Sequence, residues 1–260
     1  MKKYWTIFKM EVGDAVAYRA PGVVWVIFDI FLIIGFPFVL LNIAEQGQVL
    51  PGLDAKRIVS YYVLLAIFTN LIWTHPETTV GEQIKNGNVT TSLVKPQNYI
   101  MAVFLGELAW KVIRFIMFLP VLVVILIVAK HYLVIPSLGL LPWILLMLPG
   151  AVIIFYLTGF LVGLTAFWIE ESTAVVSVFW MVSGLFGGTY LPLALFPSWF
   201  VHIAEWLPWR YATSIPIQAV LGAYQPRDFL HIFFGQLLWI AILYGLYRVI
   251  WLLGVKRYTA

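Results

Sequence analysis

The chain has 260 residues, of which 62% are hydrophobic and only 11% charged, with a mean hydropathy of +0.95, a net charge of +4 and no cysteine. Soluble domains are roughly half apolar and about a quarter charged, so lipid must be the solvent for most of this chain. The missing cysteines exclude a disulfide scaffold, thiolate catalysis and cysteine-ligated zinc or iron–sulfur centres, and basic residues scattered among apolar runs report membrane topology rather than nucleic-acid binding.

Residues 1–20 read as an amphipathic surface helix. Tyr4, Trp5, Phe8, Val12, Ala15 and Val16 recur at spacings of three to four, with Lys2, Lys3, Lys9 and Glu11 largely on other faces. Glu11 and Asp14 interrupt any continuous apolar core, so no cleaved signal peptide is expected. Pro21 and Gly22 then turn the chain into the membrane.

A spanning helix needs about 20 apolar residues. Six runs answer to this, at about 22–43, 58–74, 99–129, 142–169, 172–190 and 229–253. The uncharged stretch 132–169 would make about 57 Å of helix, too long for one crossing, and Pro136, Pro142 and Pro149 offer breaks. Glu170 and Glu171 form a short polar turn. Residues 191–228, rich in proline and tryptophan, are too apolar for a soluble loop and too broken for a straight span, so short re-entrant or interfacial helices are expected there. With both ends inside, eleven of the sixteen basic residues fall on the cytoplasmic side, against Lys56, Arg57, Lys130, Arg210 and Arg227 outside. The expected fold is therefore all-α and polytopic, one transmembrane domain over 1–260 with six spans and both termini cytoplasmic.

Chemistry-bearing motifs are few. No G-x-S-x-G elbow, H-E-x-x-H pair or Gly-Lys phosphate loop occurs, and the four histidines are far apart in sequence. No catalytic residue, metal site or cofactor site is assigned. The cytoplasmic loop 75–98 is the most informative polar segment. Thr79 and Glu82 have capping-box spacing and Asn86-Gly87 supplies a stop, which predicts a two-turn helix from Val80 to Asn86 with Val80 and Ile84 on one face and Glu82, Gln83 and Lys85 around them. So short a helix needs something to pack against.

Glu107, Lys111 and Arg114 share a face at the start of the third span, and Asp29 lies about two turns inside the first. A lone carboxylate there is costly, so Lys111 or Arg114 is the expected partner, locking helix packing. Bases near a span end can also snorkel, and an ion path is the alternative. Gly159 and Gly163 form a G-x-x-x-G pair, and Gly184, Gly187 and Gly188 crowd the fifth span, so these faces are candidates for close helix packing.

Two stretches carry a resemblance. One runs from Glu82-Gln-Ile-Lys-Asn-Gly87 to Leu93-Val-Lys-Pro96, and the other from Leu191-Pro and Phe196-Pro through Trp206-Leu-Pro208 to Pro216 and Leu221-Gly222. In this order, across essentially the whole chain, they resemble the ABC-2 type permeases, the membrane subunits of ATP-binding-cassette exporters. The resemblance implies two permease subunits, identical or related, pairing with two cytoplasmic ATPase subunits that bind ATP and magnesium. It implies a coupling element at Thr79, Val80, Glu82, Gln83, Ile84 and Lys85, a second contact at Glu170 and Glu171, and a cell-membrane location, that of the bacterial inner membrane. The expected activity is outward transport of an amphipathic, lipid-like or drug-like substrate. Alternatives from other classes are an ATP-independent secondary transporter or channel, and a membrane scaffold or intramembrane enzyme. The first of these is expected to show internal repeats or more deep charges than this sequence does.

Overall fold

A computed structural model describes residues 2–18, 20–46, 52–90, 98–169 and 172–258. Among them the structure is helical, without strands. In chain order the α-helices are α1 (Lys2–Ala17), α2 (Ala20–Glu45), α3 (Ala55–Ile72), α4 (Pro76–Lys85), α5 (Tyr99–Val128), α6 (Leu141–Leu164), α7 (Thr173–Gly187), α8 (Ser198–Glu205), α9 (Pro208–Ala212), α10 (Ser214–Val220) and α11 (Asp228–Tyr258). Five segments are long and apolar enough to cross a membrane: Gly22–Glu45, Ala55–Lys85, Tyr99–Val128, Leu138–Phe167 and Asp228–Arg257. The expected fifth span is shorter. At 15 residues α7 measures about 22 Å, against about 30 Å for a bilayer core.

The outward faces of these helices remain apolar. Val24, Ile27, Phe31 and Ile34 of α2, and Val123, Val124 and Ile127 of α5, are all exposed, as lipid-facing side chains must be. Three buried clusters hold the bundle. One joins α3, α6, α9 and α10 around Tyr61, Tyr62, Met147 and Phe155. A second joins α4, the start of α5, the end of α6 and α11 around Val80, Ile84, Phe160 and Tyr247. The third, around Ile33, Val63 and Phe118, ties α2, α3 and α5 together.

The Ala55–Lys85 segment is not one straight helix. α3 stops at Ile72, Trp73 turns extended, and α4 begins at Pro76. Proline disfavours helical torsions in the residue before it and carries no N–H, so His75-Pro76 is where a helix can restart but not continue. The break divides the molecule into two ends. α4 and the last turns of α6 lie at one. The other holds α8–α10, where the Tyr61 hydroxyl of α3 donates to the Gly188 carbonyl (2.6 Å) and that of Tyr62 to the Tyr190 carbonyl (3.0 Å). α7 connects the two ends: a Cβ on Gly81 would lie 3.4 Å from Ser172 Oγ, while Gly188, with φ +80°, closes the helix beside Tyr61.

α1 packs along the first half of α5. The side it buries carries Tyr4, Ile7, Phe8, Glu11, Val12 and Ala15, whereas Trp5 and Val16, expected on the apolar face, are exposed. Ile7 and Glu11 are on the half-buried side instead, and Glu11 reaches the bare backbone at Gly106.

Candidate functional site

Asp29 of α2 and Glu107, Lys111 and Arg114 of α5 converge near the α3–α4 break. Asp29 is 1% exposed and its Oδ1 lies 3.3 Å from Arg114 Nη2, with Asn70 Nδ2 donating to Asp29 Oδ2 at 2.8 Å. Arg114 also lies over the Trp25 ring, 5.0 Å from its centre. Of the two bases expected as partners for Asp29, the structure brings Arg114 to it. Lys111 goes elsewhere.

Lys111 Nζ donates to the Trp73 carbonyl at 2.7 Å, and Glu107 Oε2 accepts the His75 backbone N–H at 2.6 Å. Thr79 Oγ1 adds a longer bond to Glu107 Oε1, 3.4 Å. Trp73 is the last residue capping α3 and His75 the first capping α4. A broken helix leaves carbonyls without partners on one side and N–H groups on the other, and in a membrane no bulk water replaces them. Here one turn of α5 supplies a cation to the first set and an anion to the second. The sequence shows only that Glu107 and Lys111 share a face. That they straddle a helix break emerges from the fold.

His75 and Glu77 complete the cluster, and neither was singled out by motif. The His75 ring lies between those of Trp25 and Trp180, each 4.9 Å away, and the ladder continues from Trp180 to Trp73 (5.2 Å) and from Trp73 to Phe155 (5.4 Å). Glu77, 1% exposed, accepts from Trp180 Nε1 at 3.2 Å and lies 3.4 Å from His75 Nδ1. A signal for both was present, since His75-Pro76-Glu77 is a helix start with proline and an acid in its first turn. Polar groups this deep in a bundle are retained where they do something.

α4 itself differs from expectation. It starts at Pro76, four residues before Val80, and Thr79 with Glu82 forms no capping box because Thr79 is already inside the helix, its hydroxyl bound to Glu107. Val80 and Ile84 are buried within this chain, 0% and 3% exposed. The glycine pair of α6 seats the first turns of α4. A Cβ on Gly163 would lie 2.8 Å from Val80 Cβ, and one on Gly159 would lie 2.8 Å from Glu77 Oε2. Gln83 is half-buried and accepts the Tyr99 hydroxyl at 2.8 Å. Thr78, Glu82, Lys85 and Asn86 form the exposed face. Glu170, Glu171 and the Leu93–Pro96 motif lie outside the described residues. Gly184 packs against Tyr190, Gly187 faces Trp209 and Thr213, and Gly188 faces Tyr61, so these three serve packing within this chain.

Among the described residues no group of three or more His, Asp or Glu side chains is arranged to hold a metal ion. No curated protein and no solved structure matches the chain. A protein-family model described as "ABC-2 family transporter protein" matches residues 26–260. That match takes in all five apolar spans apart from the first few residues of α2, the α3–α4 break and the proline-rich end. The chain therefore belongs to the ABC-2 family of transporter proteins, as a multi-pass membrane transport subunit rather than a catalytic domain.

Proposed function

We propose that this chain is the permease of an ATP-driven exporter and that α4 is where a cytoplasmic ATPase subunit engages it. ABC-2 permeases generally work with ATPase subunits. The observation that carries the reading is the two-sided character of α4: one face is seated in the glycine groove of α6, while Thr78, Glu82 and Lys85 present a polar face outward. Helix and partner thus meet through charge rather than through Val80 and Ile84. Glu170 and Glu171, which precede α7 in sequence, form the second contact.

In this reading the whole of 1–260 is one domain with six crossings and both termini cytoplasmic, the α4 end facing the cytoplasm of a bacterial cell. α7 is the fifth crossing. Its route from beside Gly81 to beside Tyr61 supports this despite its length, with α8–α10 dipping back from the outer surface. Two permeases, identical or related, pair with two ATPases, which hold ATP and magnesium; this chain itself carries no cofactor. The cargo is amphipathic, lipid-like or drug-like, and moves outward.

The test is purification of the tagged chain from its own membranes in mild detergent. An ATPase subunit should accompany the wild type and be lost from the Glu82→Arg, Lys85→Glu variant, whose melting temperature should not change because both side chains are exposed. Retention of the ATPase by that variant refutes the assigned face. Transport by the chain alone refutes the exporter reading altogether.

A further inference from the structure

We propose that Glu107 and Lys111 are positioning residues that register the two helix ends at the break on one turn of α5: Glu107 fixes where α4 sits along its groove, and Lys111 fastens the end of α3 beside it. The structural claim concerns the bundle alone; its bearing on transport rests on the reading of α4 given above.

The covalent link from α3 to α4 is weak as a mechanical coupling. Trp73 is extended (φ −66°, ψ 138°) and His75 lies at φ −122°, ψ 44°, so no helical hydrogen bonding runs through the break. The seat on α6 is apolar and glycine-lined. Dispersion and shape hold α4 close there, but such contacts have no direction along the groove. Directional bonds come mainly from α5. Glu107 holds the first turn of α4 through the His75 N–H and the Thr79 hydroxyl, and the Tyr99 hydroxyl holds the last turn through Gln83. Among the described residues, a directional contact from another helix runs from Trp180 of α7 to Glu77.

The order of the two charges matters as much as their presence. Peptide dipoles make the end of α3 partly negative and the start of α4 partly positive. Lys111 meets the first and Glu107 the second. Exchanging the two residues would keep their spacing of four and their net charge, yet set an ammonium against N–H groups and a carboxylate against carbonyls. An ordinary ion pair survives such an exchange. Two helix caps of opposite sign do not.

Because the sequence has no cysteine, spin labels can be introduced singly without background. Labels at Glu82→Cys on α4 and Met101→Cys on α5, both exposed positions, report their separation by pulsed electron resonance in lipid nanodiscs. A narrow distance distribution is expected for the parent and for Glu107→Gln, whose amide oxygen still accepts the His75 N–H. Glu107→Ala should lose the narrow peak, and so should the exchanged pair Glu107→Lys with Lys111→Glu. A narrow peak in Glu107→Ala overturns the proposal, as does recovery in the exchanged pair. Should the exchanged chain fail to assemble, the contrast between Glu107→Gln and Glu107→Ala decides. The ATPase co-purification above fails or succeeds independently, so the clamp and the docking face are judged separately.

Discussion

The two ends of the molecule handle irregular backbone in opposite ways. At the α4 end, full charges from α5 satisfy the break between two helices, with a second charged pair, Asp29 and Arg114, one turn deeper. At the other end the buried hydrogen bonds come from neutral groups, and the Arg210–Glu205 ion pair (3.3 Å) is partly exposed. Tyr61 and Tyr62 bond the carbonyls of Gly188 and Tyr190, Ser60 accepts from Val134 N–H and donates to the Tyr132 carbonyl, and Gln236 donates to Met147 and Tyr211 carbonyls. Losing one neutral partner leaves a dipole unpaired. Losing one charged partner leaves an ion in a low-dielectric bundle. The same geometric problem is therefore solved firmly but tolerantly at one end, and at the other in a manner that responds sharply to any change in charge.

The largest expected effect tests that contrast directly. Asp29→Ala leaves Arg114 buried with no counter-charge, which should destabilise the bundle by about 3–5 kcal/mol, read as a fall in melting temperature in nanodiscs. Adding Arg114→Met should recover most of the loss; equal instability of single and double variants would show that the pair's charge is not what matters. Tyr61→Phe, at the other end, removes one neutral hydrogen bond and should cost only about 1 kcal/mol. If it costs as much as Asp29→Ala, the two ends do not differ as argued. The smallest effect concerns α1. Burial against α5, and secondarily the nearby Asp14, raise the Glu11 carboxyl above its ordinary value of 4.5. An acid raised by folding stabilises fully below its unfolded pKa, and that contribution is lost as pH climbs through the folded one. α1 should thus dock more tightly near pH 4.5 than at neutral pH, measured by amide exchange of residues 4–15. Glu11→Gln should abolish the difference.

Much of the fold was legible because lipid imposes a simple rule: apolar length. Five of the six expected spans coincide with long apolar segments, and Asp29 called for a basic partner that Arg114 supplies. Ser172 to Tyr190 looked like an equal member of the set because composition does not reveal where a helix ends. Gly188 does, once Tyr61 is seen to hold it in a left-handed turn. The late start expected for α4 has a similar cause. A capping-box spacing at Thr79 and Glu82 is local information, whereas Pro76 marked the true start and Gly163, eighty residues on, decided that Val80 points inward. The role of Glu107 and Lys111 was hidden most deeply, since the groups they bind are backbone atoms, which every residue has alike.

The clamp at the break also bears on how the chain comes to be made. Synthesis runs from the N-terminus, so Trp73 and His75 leave the ribosome roughly thirty residues ahead of Glu107 and Lys111. Until α5 follows, the second span ends in an open backbone at Trp73–His75, whose polar groups cannot rest stably in hydrocarbon. The Ala55–Lys85 segment and α5 should accordingly be released into the bilayer as a pair, and truncation of the nascent chain between residues 90 and 107 should leave the earlier span held at the insertion machinery.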